Sequence, residues 1–336
     1  MEVLAGTNST EQKDLNAIKP NWVNAQFSLS VVIPVYNSEL ILPRLIERLA
    51  QNLPKFSNKF EVILVNDGSR DQSWEVIQQL ANTYNWIRGI YMMRNYGQHN
   101  ALLCGIRAAK HEIIVTMDDD LQHPPEEIPV LLEQLTQGFD VVYGKPKKER
   151  HGILRDMLSI ITKKSLALAM GVSDVSHISA FRVFKTNLRK AFANYQSPHL
   201  LLDVLLSWST TRFSSVKVEH NERYTGKSNY NFRRLFNQAL LILTGYSTAP
   251  LRLASFIGFM FAFLGLCILL YALGIYFLYG GIVPGFTFLA SLIAIFSGAQ
   301  MFALGLIGEY LGRIFNRSME RPTYVVGSTC GGNSED

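Results

Sequence analysis

The segment Asp118-Asp119-Asp120-Leu121-Gln122 carries the clearest chemical signal in this sequence. If its backbone stays extended, alternate side chains share a face, so Asp118, Asp120 and Gln122 point one way and Asp119 points the other. Two carboxylates and an amide oxygen are hard ligands that suit Mg²⁺ or Mn²⁺. The segment therefore predicts a divalent metal site, and the alternative is an acidic turn after a strand.

Two polar segments that each end an apolar run are candidates for binding a small molecule: Pro34-Val35-Tyr36-Asn37 and Asn66-Asp67-Gly68-Ser69. By residue type alone, both are ordinary turn sequences. The functional interpretation is that Asp67 accepts a hydrogen bond from a base N–H or a ribose hydroxyl. Tyr36 would then lie along a base or a sugar ring.

Positive charge is concentrated between positions 145 and 164, where seven basic residues accompany two acidic ones. One interpretation is a solvated surface. The other is a site for an anionic ligand or an anionic membrane face. The basic residues are Lys145, Lys147, Lys148, Arg150, Arg155, Lys163 and Lys164.

Apolar runs alternate with helical patterns from position 28 to about 144, which predicts a mostly parallel sheet with helices on both faces. The predicted strands cover 29–35, 61–65, 88–93, 112–117 and 139–143, and a late strand covers 215–219. The predicted helices cover 39–51, 71–84, 98–110, 125–136, 152–170 and 200–208. In such sheets ligands bind beyond the carboxyl ends of the strands, where both acidic segments fall.

The composition excludes a disordered protein and points to a membrane. The chain has 336 residues, of which 48% are hydrophobic and 18% charged, against the ~25% charge of typical soluble domains. Stretches 253–279 and 285–308 contain no charge, and each exceeds the ~20 residues that a helix needs to cross a bilayer. We therefore predict transmembrane helices at 251–280 and 285–313. Three widely separated cysteines predict neither a disulfide framework nor a zinc site.

Basic residues flank the two spans, with Arg252 before the first and Arg313 after the second, whereas the connecting loop is uncharged. The positive-inside rule places the soluble part and both termini on the cytoplasmic side of the inner membrane. Positions 1–28 form a polar extension without the apolar region of a signal peptide, and 314–336 are predicted as a cytoplasmic tail. Apolar residues at helical spacing within 229–250 predict an amphipathic helix, either at the membrane interface or packed on the core.

Taken together, these motifs resemble the family 2 glycosyltransferases of GT-A (Rossmann-like) fold. More narrowly, they resemble the polyprenyl-phosphate glycosyltransferases, such as bactoprenol glucosyltransferases and dolichyl-phosphate mannose synthases. The resemblance rests, in order, on 31–37, 65–69, Arg94-Asn95-Tyr96-Gly97 and 118–126. The segments 223–228 and 321–324 and the two spans are similar to the bactoprenol branch. The match covers 29–326 and implies a catalytic domain over 29–228.

The resemblance implies an enzyme that transfers a hexose, with glucose from UDP-glucose as the expected donor, to a polyprenyl (undecaprenyl) phosphate with inversion. It implies Mg²⁺ or Mn²⁺ on Asp118, Asp120 and Gln122, with Arg150 and Arg155 as further catalytic residues. Lys163, Arg182 and Arg223 are the implied ligands of the acceptor phosphate. The nucleotide sugar is expected to contact Pro34, Tyr36, Asn37, Asp67, Gly68, Arg94 and Asp119.

Other interpretations stay open. The sugar or acceptor could differ, as in dolichyl-phosphate mannose synthases or formamido-arabinose transferases. A non-catalytic scaffold or flippase-associated protein that only binds a nucleotide sugar is a further alternative, although two spans are few for a translocation path. Many relatives carry an acid just before the position of Phe181-Arg182, where this chain has Ser179-Ala180. The absence of the Gln-x-x-Arg-Trp motif favours a single transfer over polymerisation.

The expected partners are a nucleotide sugar, a polyprenyl phosphate and the lipid bilayer, and no nucleic acid. Small residues in the second predicted span also favour close helix packing. This packing would join either the two spans of one chain or the chains of a homo-oligomer. The residues concerned are Gly298, Gly305, Gly308 and Gly312.

Overall fold

The computed structural model describes residues 27–147, 178–197, 200–221, 248–279 and 285–332, together with Ala167, Met170, Gly245 and Tyr246. Seven α-helices lie in these ranges: α1 (Leu42–Asn52), α2 (Ser73–Thr83), α3 (Gln98–Ala108), α4 (Ile128–Thr136), α5 (Leu202–Ser207), α6 (Ala249–Tyr279) and α7 (Phe286–Ser318). The strands are β1 (Ser28–Val35), β2 (Lys59–Asn66), β3 (Ile87–Met92), β4 (Ile113–Thr116), β5 (Val141–Pro146), β6 (Arg182–Lys185), β7 (Phe213–Val218) and β8 (Val326–Gly331).

The described strands form a single sheet in the order β7-β5-β6-β4-β1-β2-β3-β8. Strand β1 lies between β4 and β2 and is parallel to both, and β2 is parallel to β3. This arrangement confirms the predicted α/β class with a mostly parallel sheet. Because β4, β1 and β2 run in the same direction, the loops after them meet at one edge of the sheet.

Two antiparallel strands are absent from the sequence-based prediction. Strand β6 lies between β4 and β5 and is antiparallel to both. Strand β8 pairs antiparallel with the outer edge of β3, within the segment predicted only as a tail. The chain therefore returns from helix α7 to complete the sheet of the catalytic domain.

Helices cover both faces of the sheet, as the alternating pattern predicts. Helices α1, α2 and α4 pack on one face through buried residues such as Leu45, Ile77 and Leu132. Helices α3 and α5 pack on the other face through residues such as Leu103 and Leu205. Each face thus has its own apolar core, and the sheet is held from both sides.

Helix α1 begins at Leu42, three residues later than predicted, because the preceding residues bond to the segment at the start of α2 and do not join the helix. The Ser38 N–H donates to Ser73 Oγ at 2.8 Å, and the Glu39 N–H donates to an Asp71 carboxylate oxygen at 3.2 Å. These bonds hold the segment after β1 against the start of α2. The loop after β1 is therefore fixed by the element that follows β2.

Helix α3 approaches the sheet closely. A Cβ added at Gly105 would lie 2.4 Å from Val32 Cγ1 and 3.1 Å from Val65 Cγ2. Only glycine permits this distance without a shift of β1 or β2. The close approach sets the position of the first residues of α3, which lie at the candidate site.

Among the described residues, one helix is long and apolar enough to cross a membrane, over Ala249–Leu278 in α6. Helix α7 covers the second predicted span and also exposes large apolar side chains, such as Phe302 and Leu311. The two helices contact each other, with the rings of Phe261 and Phe296 5.8 Å apart. Positions 229–244 of the predicted amphipathic helix lie outside the described residues.

Candidate active site

The candidate site is built where β1, β2 and β4 end. Asp67 follows β2, Tyr36 follows β1, and the acidic segment starts two residues after β4. Helix α3 adds a fourth component, because the loop that precedes it folds over the end of β2. The topology therefore brings together segments that are separated by as many as 83 residues.

The buried carboxylate of Asp67 holds the loop before α3 in place. The N–H of Tyr96 donates to one carboxylate oxygen at 2.6 Å, and the N–H of Gly97 donates to the other at 2.9 Å. The residue is only 3% exposed. Burial raises the pKa of Asp67, and the two N–H donors partly offset this rise because they stabilise the ionised form. Asp67 therefore shapes the site in addition to any contact with a ligand.

Gly68 lets the loop before α3 lie directly on the end of β2. Its φ angle is +62°, and an added Cβ would lie 2.5 Å from the carbonyl carbon of Arg94. The Arg94 guanidinium lies over the Tyr96 ring, 4.6 Å from its centroid. The structure thus brings together Asp67, Gly68 and Arg94, which the resemblance assigned to nucleotide-sugar binding.

The segment after β1 is held on two sides. Asn37, with φ of +55°, donates its N–H to Ser69 Oγ at 3.0 Å, and its Oδ1 accepts the Arg70 N–H at 2.9 Å. Pro34 lies within β1 opposite Val65. Tyr36 is 43% exposed, so its ring stays accessible at the edge of the sheet.

Asp119 joins the acidic segment to the loop after β1. Its carboxylate accepts hydrogen bonds from Ser38 Oγ and, at 3.3 Å, from the Tyr36 N–H. Burial raises the pKa of Asp119, and these two donors act in the opposite direction. Ser38 was not among the predicted site residues, since nothing in a lone serine after a strand indicates this contact.

The premise that placed Asp118, Asp120 and Gln122 on one face is wrong. Strand β4 ends at Thr116, and Leu121 adopts a φ of +61°, so the backbone is not extended through the segment. Alternation of side chains requires an extended backbone and therefore does not hold across Leu121. Instead, Asp120 Oδ1 accepts the Gln122 N–H at 3.1 Å, which closes a local turn.

The first acid of the segment contacts helix α3. Gln98 Nε2 donates to Asp118 Oδ1 at 2.6 Å. Gln98 is the first residue of α3, next to the Gly97 N–H that binds Asp67. The N-terminal end of α3 therefore lies beside two carboxylates, which its positive dipole end stabilises. The sequence pattern predicted neither the contact between Gln98 and Asp118 nor a role for Gln98.

A late segment of the domain packs on the acidic loop. The Asn221 N–H donates to the Gln122 carbonyl at 3.0 Å, and the His220 ring lies 5.2 Å from the His123 ring. His123 also stacks on Phe181 at 5.3 Å. Burial, together with the nearby charges of His220 and Arg182, lowers the pKa of His123 to about 3, which keeps its ring neutral at physiological pH.

Arg182 does not have the environment expected of a phosphate ligand. It is 2% exposed, and its guanidinium pairs with the buried carboxylate of Asp203, which also accepts the Tyr143 hydroxyl at 2.9 Å. A buried carboxylate partner compensates its charge inside the domain. We therefore do not propose Arg182 as a ligand of the acceptor phosphate, because its guanidinium already pairs with Asp203.

Four predicted site residues lie outside the described residues: Arg150, Arg155, Lys163 and Arg223. The structure neither brings them to the site nor keeps them from it. The residues that it does bring together come from β1, β2, β4 and α3.

The acidic segment suits a divalent cation by its chemistry. Carboxylate and amide oxygens are hard donors, and Asp120 is 8% exposed. In the part of the chain that is described, no three His, Cys, Asp or Glu side chains are grouped as a ready metal site.

Comparisons with known proteins agree with this architecture. The Glycosyl transferase family 2 description matches residues 30–195. Undecaprenyl-phosphate 4-deoxy-4-formamido-L-arabinose transferase of Photorhabdus laumondii is 36% identical over 308 residues, covering 91% of this chain and 95% of the relative. The protein of the same name from Proteus mirabilis is 34% identical, with 90% and 94% covered.

Solved structures with low sequence identity also superpose on this chain. Glucosyl-3-phosphoglycerate synthase from Mycobacterium tuberculosis, in complex with Mn²⁺, UDP and phosphoglyceric acid, gives a TM-score of 0.48 at 16% identity. The match covers 66% of this chain and 78% of that structure. Residues 1–349 of TarS from S. aureus give a TM-score of 0.44 at 18% identity, with 66% and 65% covered.

Gly68→Ala is expected to weaken the binding of a nucleoside diphosphate by about tenfold or more, equivalent to ~1.4 kcal/mol. The added Cβ would meet the Arg94 backbone, which cannot rotate away, and so would displace the loop held by Asp67. Isothermal titration calorimetry on the purified protein measures the effect.

Gly138→Ala is the matched control, because Gly138 also has a positive φ of +98° but an added Cβ there meets nothing within 4 Å. It carries the same kind of backbone strain away from the site. Equal affinities for the parent and both variants would contradict the role assigned to Gly68.

Proposed function

This chain belongs to glycosyltransferase family 2, among the polyprenyl-phosphate sugar transferases, and we propose that it transfers one sugar from a nucleotide sugar to a polyprenyl phosphate. One observation from the structure carries the proposal: the loop anchored by Asp67 and the acidic segment meet at the carboxyl ends of β2 and β4, the two strands that flank β1. This is where α/β sheets bind nucleotides. The family is that of an enzyme, so a scaffold that only binds the nucleotide sugar is not favoured.

The nucleotide is proposed to lie between the loop after β1 and the loop before α3. The exposed ring of Tyr36 offers a flat surface for a base or ribose. Arg94, above the Tyr96 ring, lies at the same edge and can approach a diphosphate. UDP is the proposed leaving group, and Asp67 holds the loop on which this binding surface depends.

The sugar is the part of the proposal that the relatives revise. Glucose was the expected sugar, but the relatives that cover most of this chain are named for 4-deoxy-4-formamido-L-arabinose. Their names favour a formamido pentose over glucose as the transferred group. Both sugars would use the same acceptor chemistry, so a comparison of donors decides between them.

The proposed nucleophile is an oxygen of the acceptor phosphate. A phosphate monoester has a second pKa near ~6, so the acceptor is already an anion at neutral pH and needs no dedicated general base. Its oxygen forms a bond to the anomeric carbon while the bond from that carbon to the diphosphate oxygen breaks. The leaving UDP takes the electron pair, and in-line attack inverts the anomeric centre.

A divalent cation, Mg²⁺ or Mn²⁺, would neutralise charge on the diphosphate when bound. Asp118 and Asp120 are the proposed protein ligands, with Gln122 as a third. In the structure, Gln98 and Asn221 hold the two ends of this segment and so maintain its shape. Asp119 is bound to the loop after β1 and is assigned to the nucleotide side.

Positive charge is needed to bring two anions together. Arg150 and Arg155 are proposed to act at the reacting phosphates, and Lys163 and Arg223 are proposed to bind the acceptor phosphate. Arginine suits this task because its planar guanidinium binds phosphate through two N–H groups.

The enzyme is proposed to work at the cytoplasmic face of the inner membrane. Helix α6 is apolar enough to cross it, and α7 is proposed as a second span antiparallel to α6. The basic residues Arg252 and Arg313 would then both lie on the side of the catalytic domain. The lipid acceptor would present its phosphate in the headgroup layer beside the site.

We expect the purified protein to transfer radiolabelled sugar from a nucleotide sugar into a lipid that organic solvent extracts. The donor panel contains UDP-glucose, UDP-linked 4-deoxy-4-formamido-L-arabinose and GDP-mannose, each with undecaprenyl phosphate and Mg²⁺ or Mn²⁺. Asp120→Ala should abolish transfer while the protein still folds, since it removes a proposed metal ligand. Gln122→Ala should raise the metal concentration needed for half-maximal activity.

Asp140→Ala is a control for loss of a partly buried acid away from the site, since Asp140 pairs with Lys185 and Arg212 near the opposite ends of the strands. Full activity of Asp120→Ala in EDTA would contradict the metal role. No lipid-soluble product with any donor would contradict the proposed function itself.

Replacing Arg150, Arg155 or Lys163 by alanine is expected to raise the KM for lipid or donor, or to lower kcat, without lowering the melting temperature. The reason is that each change removes a positive charge that is proposed to bind phosphate. Lys217→Ala, which removes an exposed basic side chain on β7, is the matched control. If all variants match this control, these residues form a solvated surface.

We also propose that the chain assembles as a homo-oligomer through α7. An added Cβ at Gly298, Gly305, Gly308 or Gly312 meets no described atom within 4 Å, so these glycines do not contact α6. Glu309 and Arg313 pair with each other within α7 at 2.7 Å. The glycine face is thereby left for another chain.

Mass measurement in nanodiscs should show an oligomer for the parent and a smaller species for Gly308→Leu. Gly258→Leu, at an equally open glycine of α6, is the control for added bulk. A parent that is an active monomer would refute the assembly.

A further inference from the structure

Two tyrosines just outside the membrane-facing helices contact the same region of the catalytic domain. Tyr246 lies three residues before α6 begins, and Tyr324 lies six residues after α7 ends. The chain therefore contacts the catalytic domain both just before α6 and just after α7. The segment that contains Tyr324 is similar to the bactoprenol branch of the family, and the proposed reaction gives it no role.

The hydroxyl of Tyr246 is bound by the catalytic domain. It accepts the N–H of Leu201, just before α5, at 2.9 Å, and it lies 3.4 Å from the hydroxyl of Tyr195. The Tyr246 side chain also packs beside Val204. Burial and the neighbouring Tyr195 raise the pKa of Tyr246, so its hydroxyl stays protonated.

Tyr324 docks on helix α3. Its ring faces the guanidinium of Arg107 at 5.7 Å, and its hydroxyl is within hydrogen-bonding reach of the buried Cys104 thiol. Thr323 is almost fully buried, and the Met93 N–H donates to the Val325 carbonyl at 3.0 Å. Strand β8 follows directly, so the docked tyrosine is continuous with the sheet.

Arg107 connects the two anchors. One of its guanidinium nitrogens donates to the carbonyls of Ala193 and Tyr195, at 2.8 and 2.7 Å, while the same group faces Tyr324. Tyr195 in turn reaches Tyr246 through its hydroxyl. We call the four residues Arg107, Tyr195, Tyr246 and Tyr324 the membrane bracket.

A lipid-borne phosphate imposes a geometric constraint on the catalytic domain. The acceptor cannot leave the headgroup layer without exposing its hydrocarbon tail, which costs ~0.8 kcal/mol per methylene group. A domain joined to the membrane by one flexible segment would tilt and spend much of its time with the site turned away. Two anchors that meet on one patch remove this freedom.

We propose that the membrane bracket is a positioning device that fixes the catalytic domain against α6 and α7, so that the site faces the lipid-borne phosphate. The purpose of the bracket rests on the proposed function, whereas its geometry does not. None of the bracket contacts given above involves the nucleotide loop at Asp67 or the acidic segment. Its residues act through orientation and not on the reacting atoms.

The kinetic test compares two acceptors: undecaprenyl phosphate in vesicles and a short-chain prenyl phosphate that dissolves in water. Tyr246→Phe and Arg107→Ala should lower kcat/KM for the vesicle acceptor about tenfold, which corresponds to ~1.4 kcal/mol. The same variants should leave the water-soluble acceptor and the affinity for UDP unchanged. Only an orientation defect separates the two acceptors in this way.

Two conservative changes serve as controls. Tyr324→Phe keeps the aromatic ring over Arg107 and should retain vesicle activity, whereas Tyr324→Leu should lose it. Tyr84→Phe removes a tyrosine hydroxyl remote from both the bracket and the site and should behave as the parent. Equal losses on both acceptors, or no loss on either, would overturn the proposal.

A distance measurement tests the geometry without any reaction. Spin labels are placed at Lys217→Cys in the catalytic domain and Arg317→Cys in α7, with Cys267 and Cys330 replaced by serine and the buried Cys104 kept. The parent should give one narrow distance distribution, and Arg107→Ala should broaden it. A distribution in the parent as broad as in the variant would overturn the bracket, even if the parent transfers sugar. A narrow distribution with no transfer would instead contradict only the proposed function.

Discussion

The hydrogen bonds from Tyr96 and Gly97 to the carboxylate of Asp67 are the interaction on which the site depends. A buried carboxylate is costly unless donors surround it, and here two backbone N–H groups supply that compensation. They pull the loop before α3 onto the end of β2, where Gly68 leaves room for it. The start of α3 follows, and with it the contact from Gln98 to Asp118.

Local pattern predicted the strands whose own sequences contain a long apolar run. Buried runs such as 29–35 and 61–65 became β1 and β2 because parallel strands buried on both faces are continuously apolar. Strand β6 has only four residues, two of them basic, so its sequence contains no continuous apolar run. Strand β8 is polar and follows a helix long enough to span a membrane, so no local signal indicates its return to β3.

Local residue patterns likewise decide which features of the site could be predicted from the sequence. Residue type and order were sufficient to place the loops of Asp67 and of the acidic segment at one sheet edge. They were insufficient for Arg182, whose partner Asp203 lies on another element, and for the path of the chain at Leu121. A positive φ at a leucine is unfavourable and persists only because the surroundings impose it, here including the contacts from Asn221.

Helix α3 is a short element with three roles. Gln98 at its first turn contacts the acidic segment, Gly105 allows it to lie against β1, and Arg107 in its last turn carries the membrane bracket. At 1.5 Å per residue, Gln98 and Arg107 lie about 14 Å apart along the helix axis. A helix packed this tightly behaves as a rigid rod, so a contact at one end fixes the position of the other. The length of α3 therefore sets the distance between the acidic segment and the membrane bracket.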